Sequence, residues 1–319
     1  MDENIKIVKK GLNKLDVFVF AFGAMIGWGW VVLSGEWIKR SGALGSSLAF
    51  ILGGVVIYFV GQIYAELVSA VPQNSGILVF TKMALGRNCS FVAIWAILLA
   101  YFSVMAFEAV ALPTVVEYLF PTYKWGYMYE VAGFKVYFTW AMVGIVSSIV
   151  IALFNLFGVK TAMFLQTVMT LTVILVGLLF FFGATINGDS SNLQPCFRNG
   201  LGGMMSVAIM TPFMYVGFEV IPQAAGEMNI PHKKIGQILV FSVIAAVIWY
   251  VGIIIGVARS MSYSQIMESS LVSADAMANV FNNSPFAGKV MIIGGMAGIV
   301  TTWNSFYVAC SRTIVKLAE

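Results

Sequence analysis

Long apolar runs, each near or above the length that crosses a bilayer, dominate this sequence. They fall at 15–38, 43–70, 91–118, 137–157, 163–185, 203–222, 236–258 and 288–317. A helix needs about 20 residues to cross a ~30 Å hydrocarbon core. Short polar stretches separate the runs, such as Pro121-Thr122-Tyr123-Lys124 and Asn187-Gly188-Asp189-Ser190-Ser191. Barrel strands would instead show about 9–11 alternating residues, and only a helix pairs every backbone amide within its own segment. The runs therefore predict an all-α integral membrane protein of about eight transmembrane helices. Composition agrees, with 60% hydrophobic and 10% charged residues. Soluble domains carry roughly 45–50% and about 25%, so this chain has too little polar surface to cover itself in water.

Lys6, Lys9, Lys10 and Lys14 precede a first run that continues through Trp28 and Trp30, which reads as a retained span and not a cleaved signal. Placing residues 1–14 in the cytoplasm puts eleven of the 18 Lys and Arg residues on the inner side, among them Lys82, Arg87, Lys160, Lys233, Lys234, Arg312 and Lys316. That asymmetry predicts a multi-pass cell-membrane protein with a cytoplasmic N-terminus. No block of like charge points to nucleic acid. Cys89, Cys196 and Cys310 form no CxxC pair. HExxH, GxSxG and GxxxxGK[ST] are all missing, and a single histidine, His232, leaves little scope for acid–base or metal chemistry. Neither an enzyme, a cofactor nor a metal site is expected; the partner is the lipid bilayer.

Spans one and six differ from the others. The first contains Gly23-Ala24-Met25-Ile26-Gly27-Trp28-Gly29, with three glycines that each weaken a helix by roughly 1 kcal/mol relative to alanine. The sixth contains Pro212, Gly217, Glu219 and Pro222. Interrupted helices at corresponding positions in two halves point to a transport site. The breaks lie five spans apart, and a repeat of odd span number inserts upside down relative to its partner. Residues 15–185 then form a first five-helix repeat and 203–319 a partial second one, with three helices of the five required. On this reading the chain is truncated.

If span one unwinds, the amides of Ile26, Gly27, Trp28 and Gly29 become donors at the start of a half-helix, suited to a carboxylate. Carbonyls at Gly23 and Ala24 would face a cation. Close packing through the GxxxG spacing of Gly23 and Gly27 is the alternative. Glu219, in mid-membrane, either carries a proton, pairs with a substrate's cationic group, or fastens the broken helix. Tyr215, one turn earlier, either touches the ligand or packs. Glu108 in span three competes as proton carrier, with a structural hydrogen bond as its other reading. Asp16 reads as a helix-start residue. Thr301 and Thr302 in span eight either form a small-cation site with the span-one carbonyls or bond within their own helix.

At these residues the sequence resembles amino acid permeases of the amino acid–polyamine–organocation (APC) superfamily. The resemblance rests on Gly23 through Gly29, on Tyr64-Ala65-Glu66-Leu67 with Pro72 and Ser75-Gly76, on Tyr215-Val216-Gly217-Phe218-Glu219 with Glu227, Asn229 and Pro231, and on Asn304-Ser305 with Ser311-Arg312. It implies a LeuT-like five-plus-five inverted-repeat transporter fold, usually within twelve spans. It also implies a substrate carboxylate on the Ile26–Gly29 amides, an amino group on carbonyls of spans one and six, and proton symport or exchange; H+ or Na+ is the expected coupling ion. Some proton-coupled members have a lysine in span five, where this chain reads Thr170-Leu171-Thr172-Val173-Ile174. Trp28 also stands where many relatives have a small residue. The expected function is a secondary active transporter of amino acids or related amines. The competing readings are a non-transporting fragment of such a permease and a channel or receptor.

Overall fold

The computed structural model describes residues 11–71 and 76–318. Lys6, Lys9 and Lys10 and residues 72–75, with Pro72 and Ser75, lie outside the described residues. Helix α1 (Lys14–Met25) opens on a capping box. The Asn13 side chain accepts from the Leu15 and Asp16 amides, and the Asp16 carboxylate accepts from the Asn13 amide. This occupies amide donors that the first turn leaves without helical partners, and it gives Asp16 its helix-start role.

After α1 the first apolar run is in pieces. A short α2 (Gly29–Val32) leads into α3 (Ser34–Ala70), which bends sharply at Gly42, where φ is +73°. The arm before the bend completes the first run; the arm after it is the second. A similar elbow at Gly86 (φ +81°) divides α4 (Gly76–Leu119). Its first arm, 76–85, is helical where the sequence suggested only a connection.

The chain is mostly helical, not all-α. Strands β1 (Tyr127–Val131) and β2 (Phe134–Tyr137) form an antiparallel hairpin between the third and fourth apolar runs. Its two turn residues, Ala132 and Gly133, both have positive φ, the conformation that matches the twist of two-residue hairpins. Aromatic and β-branched residues there were hidden from a reading tuned to 20-residue apolar runs.

Helices α5 (Phe138–Leu156) and α6 (Val159–Asn187) follow, then the second interrupted run: α7 (Gly200–Ala208), α8 (Thr211–Met214) and α9 (Val220–Gln223). Helix α10 (His232–Ser260) precedes two short helices, α11 (Tyr263–Glu268) and α12 (Val272–Val280), and the long α13 (Pro285–Ala318) closes the described chain. Among the described residues six helices are long and apolar enough to cross a membrane; the other two apolar runs are the interrupted ones.

Burial is inverted relative to a soluble protein. Trp95, Leu99, Phe102, Val110, Ile145 and Leu175 are exposed on the outer faces of α4, α5 and α6, whereas Gln166, Thr170, Asn304 and Ser305 are buried inside. Lipid tails solvate apolar side chains, so helix association here relies on close packing and interior hydrogen bonds. Helices α3 and α10 show this: a methyl group at Gly236 would lie 2.8 Å from the Ala65 Cβ, and one at Gly54 would lie 2.3 Å from Val247. Burial on this pattern identifies a multi-pass membrane protein.

Candidate site at two helix breaks

Helix α1 stops at Met25, and the Ile26 amide closes its last turn on the Phe22 carbonyl at 3.1 Å. That amide is therefore engaged, and three of the four donors proposed from sequence are left. Among the described residues the amides of Gly27, Trp28 and Gly29 donate to no acceptor. Gly27 and Gly29 are partly accessible while their neighbours Ile26, Trp28 and Trp30 are buried. The break is shaped by α13. A methyl group at Gly298 would sit 2.6–2.7 Å from the Gly27 and Ile26 carbonyl oxygens, and one at Gly295 would sit 2.1 Å from the Trp28 ring. Two glycines on α13 thus make room for the unwound backbone and for the large side chain beside it.

In the sixth run, residues 215–219 separate α8 from α9. Gly217 has φ +127°, a conformation open to glycine and costly for other residues. Its amide donates to Glu219 Oε2 at 2.8 Å. Glu219 thus fastens the loop that contains it. Tyr215 is buried and donates to the Phe50 carbonyl on α3 at 2.9 Å, and the Phe218 ring meets Tyr64 edge-on at 5.7 Å.

The two breaks touch. A methyl group at Gly217 would lie 2.6–2.9 Å from the carbonyl carbon, oxygen and Cβ of Ala24. Tyr250, on α10 and buried, places its hydroxyl 2.9 Å from the Met25 carbonyl and 3.0 Å from that of Met214, the last residues of α1 and α8. One hydroxyl therefore bridges both helix ends. The sequence reading missed Tyr250, although a hydroxyl isolated in an apolar span was a usable signal.

Glu108 on α4 faces the first break. It is 3% exposed, its Oε2 has no hydrogen-bond partner, and its Oε1 lies 3.4 Å from where a Gly27 methyl would be. An interior carboxyl without a partner is costly and usually functional. Thr302 lies on the other side, 3.0 Å from the same point, and donates to the Ala24 carbonyl at 3.1 Å. Thr301 bonds the Gly298 carbonyl of its own helix at 2.8 Å. Of the two span-eight hydroxyls, one reaches the span-one carbonyls and the other back-bonds.

Beside Gly23 lies a buried polar ladder. Asn155 on α5 donates to Asn304 Oδ1, and Asn304 donates to Gln166 Oε1, each at 2.9 Å. Gln166 and Thr170 then approach the Val19 carbonyl of α1 at 3.5 Å. A methyl group at Gly23 would fall 2.4 Å from Thr170 Oγ1. Contacts thus link Glu108 and Thr302 to Gly27, Thr302 to the Gly23 and Ala24 carbonyls, and Ala24 to Gly217, with Trp28 packed against α13. Tyr215 and Phe218 point instead toward α3.

Comparison with known proteins extends this picture. Residues 16–319 match the family model described as "Amino acid permease". The chain is 28% identical over 264 residues to the branched-chain amino acid permease BcaP of Bacillus subtilis (strain 168), covering 77% of this chain and 54% of the relative. It is 23% identical over 335 residues to the histidine permease HisP of Lactococcus lactis subsp. cremoris (strain MG1363), covering 99% and 67%. It is 26% identical over 251 residues to an aspartate-proton symporter of Bacillus subtilis (strain 168), covering 76% and 46%. The chain spans about half to two-thirds of the length of these relatives.

Proposed function

The chain belongs to the amino acid permease family, and from that premise we propose that it is a secondary active transporter of amino acids or related amines working by alternating access. Its fold on this reading is LeuT-like, with residues 15–185 as the first repeat, 203–319 as part of an inverted second, and the N-terminus cytoplasmic. The observation that carries the proposal is the meeting of the two breaks at Ala24 and Gly217, spanned by the Tyr250 hydroxyl.

The substrate carboxylate docks on the unengaged amides of Gly27, Trp28 and Gly29, where oriented N–H groups at a half-helix start favour an anion. The ammonium group faces the carbonyls that end α1 and α8. Trp28, beside these amides, narrows the space for the side chain, so small or slender substrates fit best.

Glu108 supplies the coupling. A carboxylate substrate beside an ionised Glu108 would place two like charges in a medium of low dielectric, where repulsion is strong. Binding therefore draws a proton onto Glu108, and release of one accompanies release of the other. Support for H+ as the coupling ion comes from the unpartnered Glu108 oxygen and from the proton symport named in one relative. Thr302 holds the Ala24 carbonyl, and Glu219 holds the second break.

Counterflow tests this reading. Purified protein in liposomes should accumulate a labelled amino acid against an unlabelled internal pool. Gly27→Leu should insert normally and bind no substrate. Ion currents at channel-like rates with no counterflow, or wild-type affinity in Gly27→Leu, would remove the proposal.

A further inference from the structure

The elbow of α4 forms a second feature, which shares no residue with the breaks. Ser90, just past Gly86, donates to the Leu78 carbonyl at 2.8 Å and ties the two arms together. Between this elbow and the end of α13 lies a recess of about 810 Å³. Three cationic side chains line it, Lys82, Arg87 and Lys316, with Asn88 as a further donor and, among the described residues, no acidic one. Among the described residues neither Lys82 nor Arg87 forms an ion pair. Around the recess the surface is apolar: Met83, Leu85, Phe91 and Val92 are 56–69% exposed.

Cations gathered in a recess, with apolar side chains turned outward on both sides, match the two halves of a lipid. We propose that this recess binds the headgroup of an anionic phospholipid, with Lys82 and Arg87 on the phosphate and the acyl chains lying over Phe91 and Val92. Basic pockets between membrane helices recognise anionic headgroups by charge, and adjacent hydrocarbon supplies the remaining affinity. A soluble anion would have no use for the apolar rim, and a zwitterionic lipid would gain little from the Lys82 and Arg87 charges. Bound there, the lipid joins the α4 elbow to α13, the two helices that carry Glu108 and Thr302. It therefore stabilises the part of the molecule on which coupling depends.

Native mass spectrometry and thermal unfolding of the full chain in neutral detergent test this. Phosphatidylglycerol should remain bound and raise the unfolding temperature, whereas phosphatidylcholine and inorganic phosphate should do neither. The double variant Lys82→Gln/Arg87→Gln changes only exposed side chains and should still fold. It should lose phosphatidylglycerol affinity by about 25-fold, at roughly fivefold per cation removed. Lys289→Gln, an exposed cation outside the recess, should bind like wild type. Equal stabilisation by phosphatidylcholine, an unchanged double variant, or a matching effect of phosphate alone would overturn the lipid site.

Discussion

Replacing Gly217 with alanine probes the contact between the two breaks. Two costs follow from the structure. First, φ at Gly217 is +127°, outside the region that side-chain-bearing residues adopt readily, which costs about 1–3 kcal/mol. Second, the new methyl would lie 2.6 Å from the Ala24 carbonyl carbon and 2.8 Å from its oxygen. These are backbone atoms of α1, and Thr302 holds the same oxygen, so they cannot swing aside as a flexible side chain does. Overpacking of this kind costs about 1–3 kcal/mol. Gly217→Ala should therefore destabilise the protein by about 2–6 kcal/mol and push the breaks apart, weakening substrate binding more than tenfold. Gly86→Ala separates the two terms, since Gly86 also has positive φ (+81°) but nothing within 4 Å of its added methyl. It should show the conformational cost alone, about 1–3 kcal/mol. Unfolding in mixed micelles, followed by tryptophan fluorescence, gives both values. Gly217→Ala that is no worse than Gly86→Ala, or that binds substrate normally, would refute the contact between breaks.

The remaining predictions concern individual polar groups. Tyr250→Phe strips the Met25 and Met214 carbonyls of a shared donor. One proton serves two acceptors, so the loss should be about 1–3 kcal/mol and not twice that, with weakened substrate affinity; an unchanged variant would mean that water replaces the hydroxyl. Glu219→Gln keeps an acceptor for the Gly217 amide and should remain stable, whereas Glu219→Leu should cost about 1–3 kcal/mol; equal stability of the two would dissociate Glu219 from the loop. Glu108→Gln removes a titrating group while preserving shape, so uptake should lose its pH dependence with binding retained, and a wild-type pH profile would end its coupling role. In the connection after α6, the Ser191 amide hydrogen bond, aided by the Ser191 hydroxyl and the Arg259 charge, holds the Asp189 carboxyl below its ordinary value. A lowered native value means stabilisation present above the unfolded-state value and lost as pH falls through the native one. Protection of this loop against amide exchange, corrected for intrinsic rates, should therefore drop below the usual carboxylate range, and Asp189→Asn should abolish that pH dependence.

Run length alone fixed the helices and their medium, because a ~30 Å apolar slab admits little else. Glycine and proline placement located both breaks, since backbone propensity is written residue by residue. The same local reading made Asp16 a helix-start group and kept the mid-membrane Glu108 in view. Other features were invisible to it. The β1–β2 hairpin and the 76–85 arm of α4 are too short to announce themselves as apolar runs. The partners of Glu219, Tyr215 and Thr301 depended on where neighbouring backbone lay, so sequence left functional and structural roles open for each. Only packing decided that Ala24 meets Gly217, that glycines on α13 make room for Trp28 and the span-one carbonyls, and that Tyr250 bridges two helix ends 225 and 36 residues away. Those are contacts between segments distant in the chain, and periodicity or propensity within one segment carries no record of what another segment places beside it.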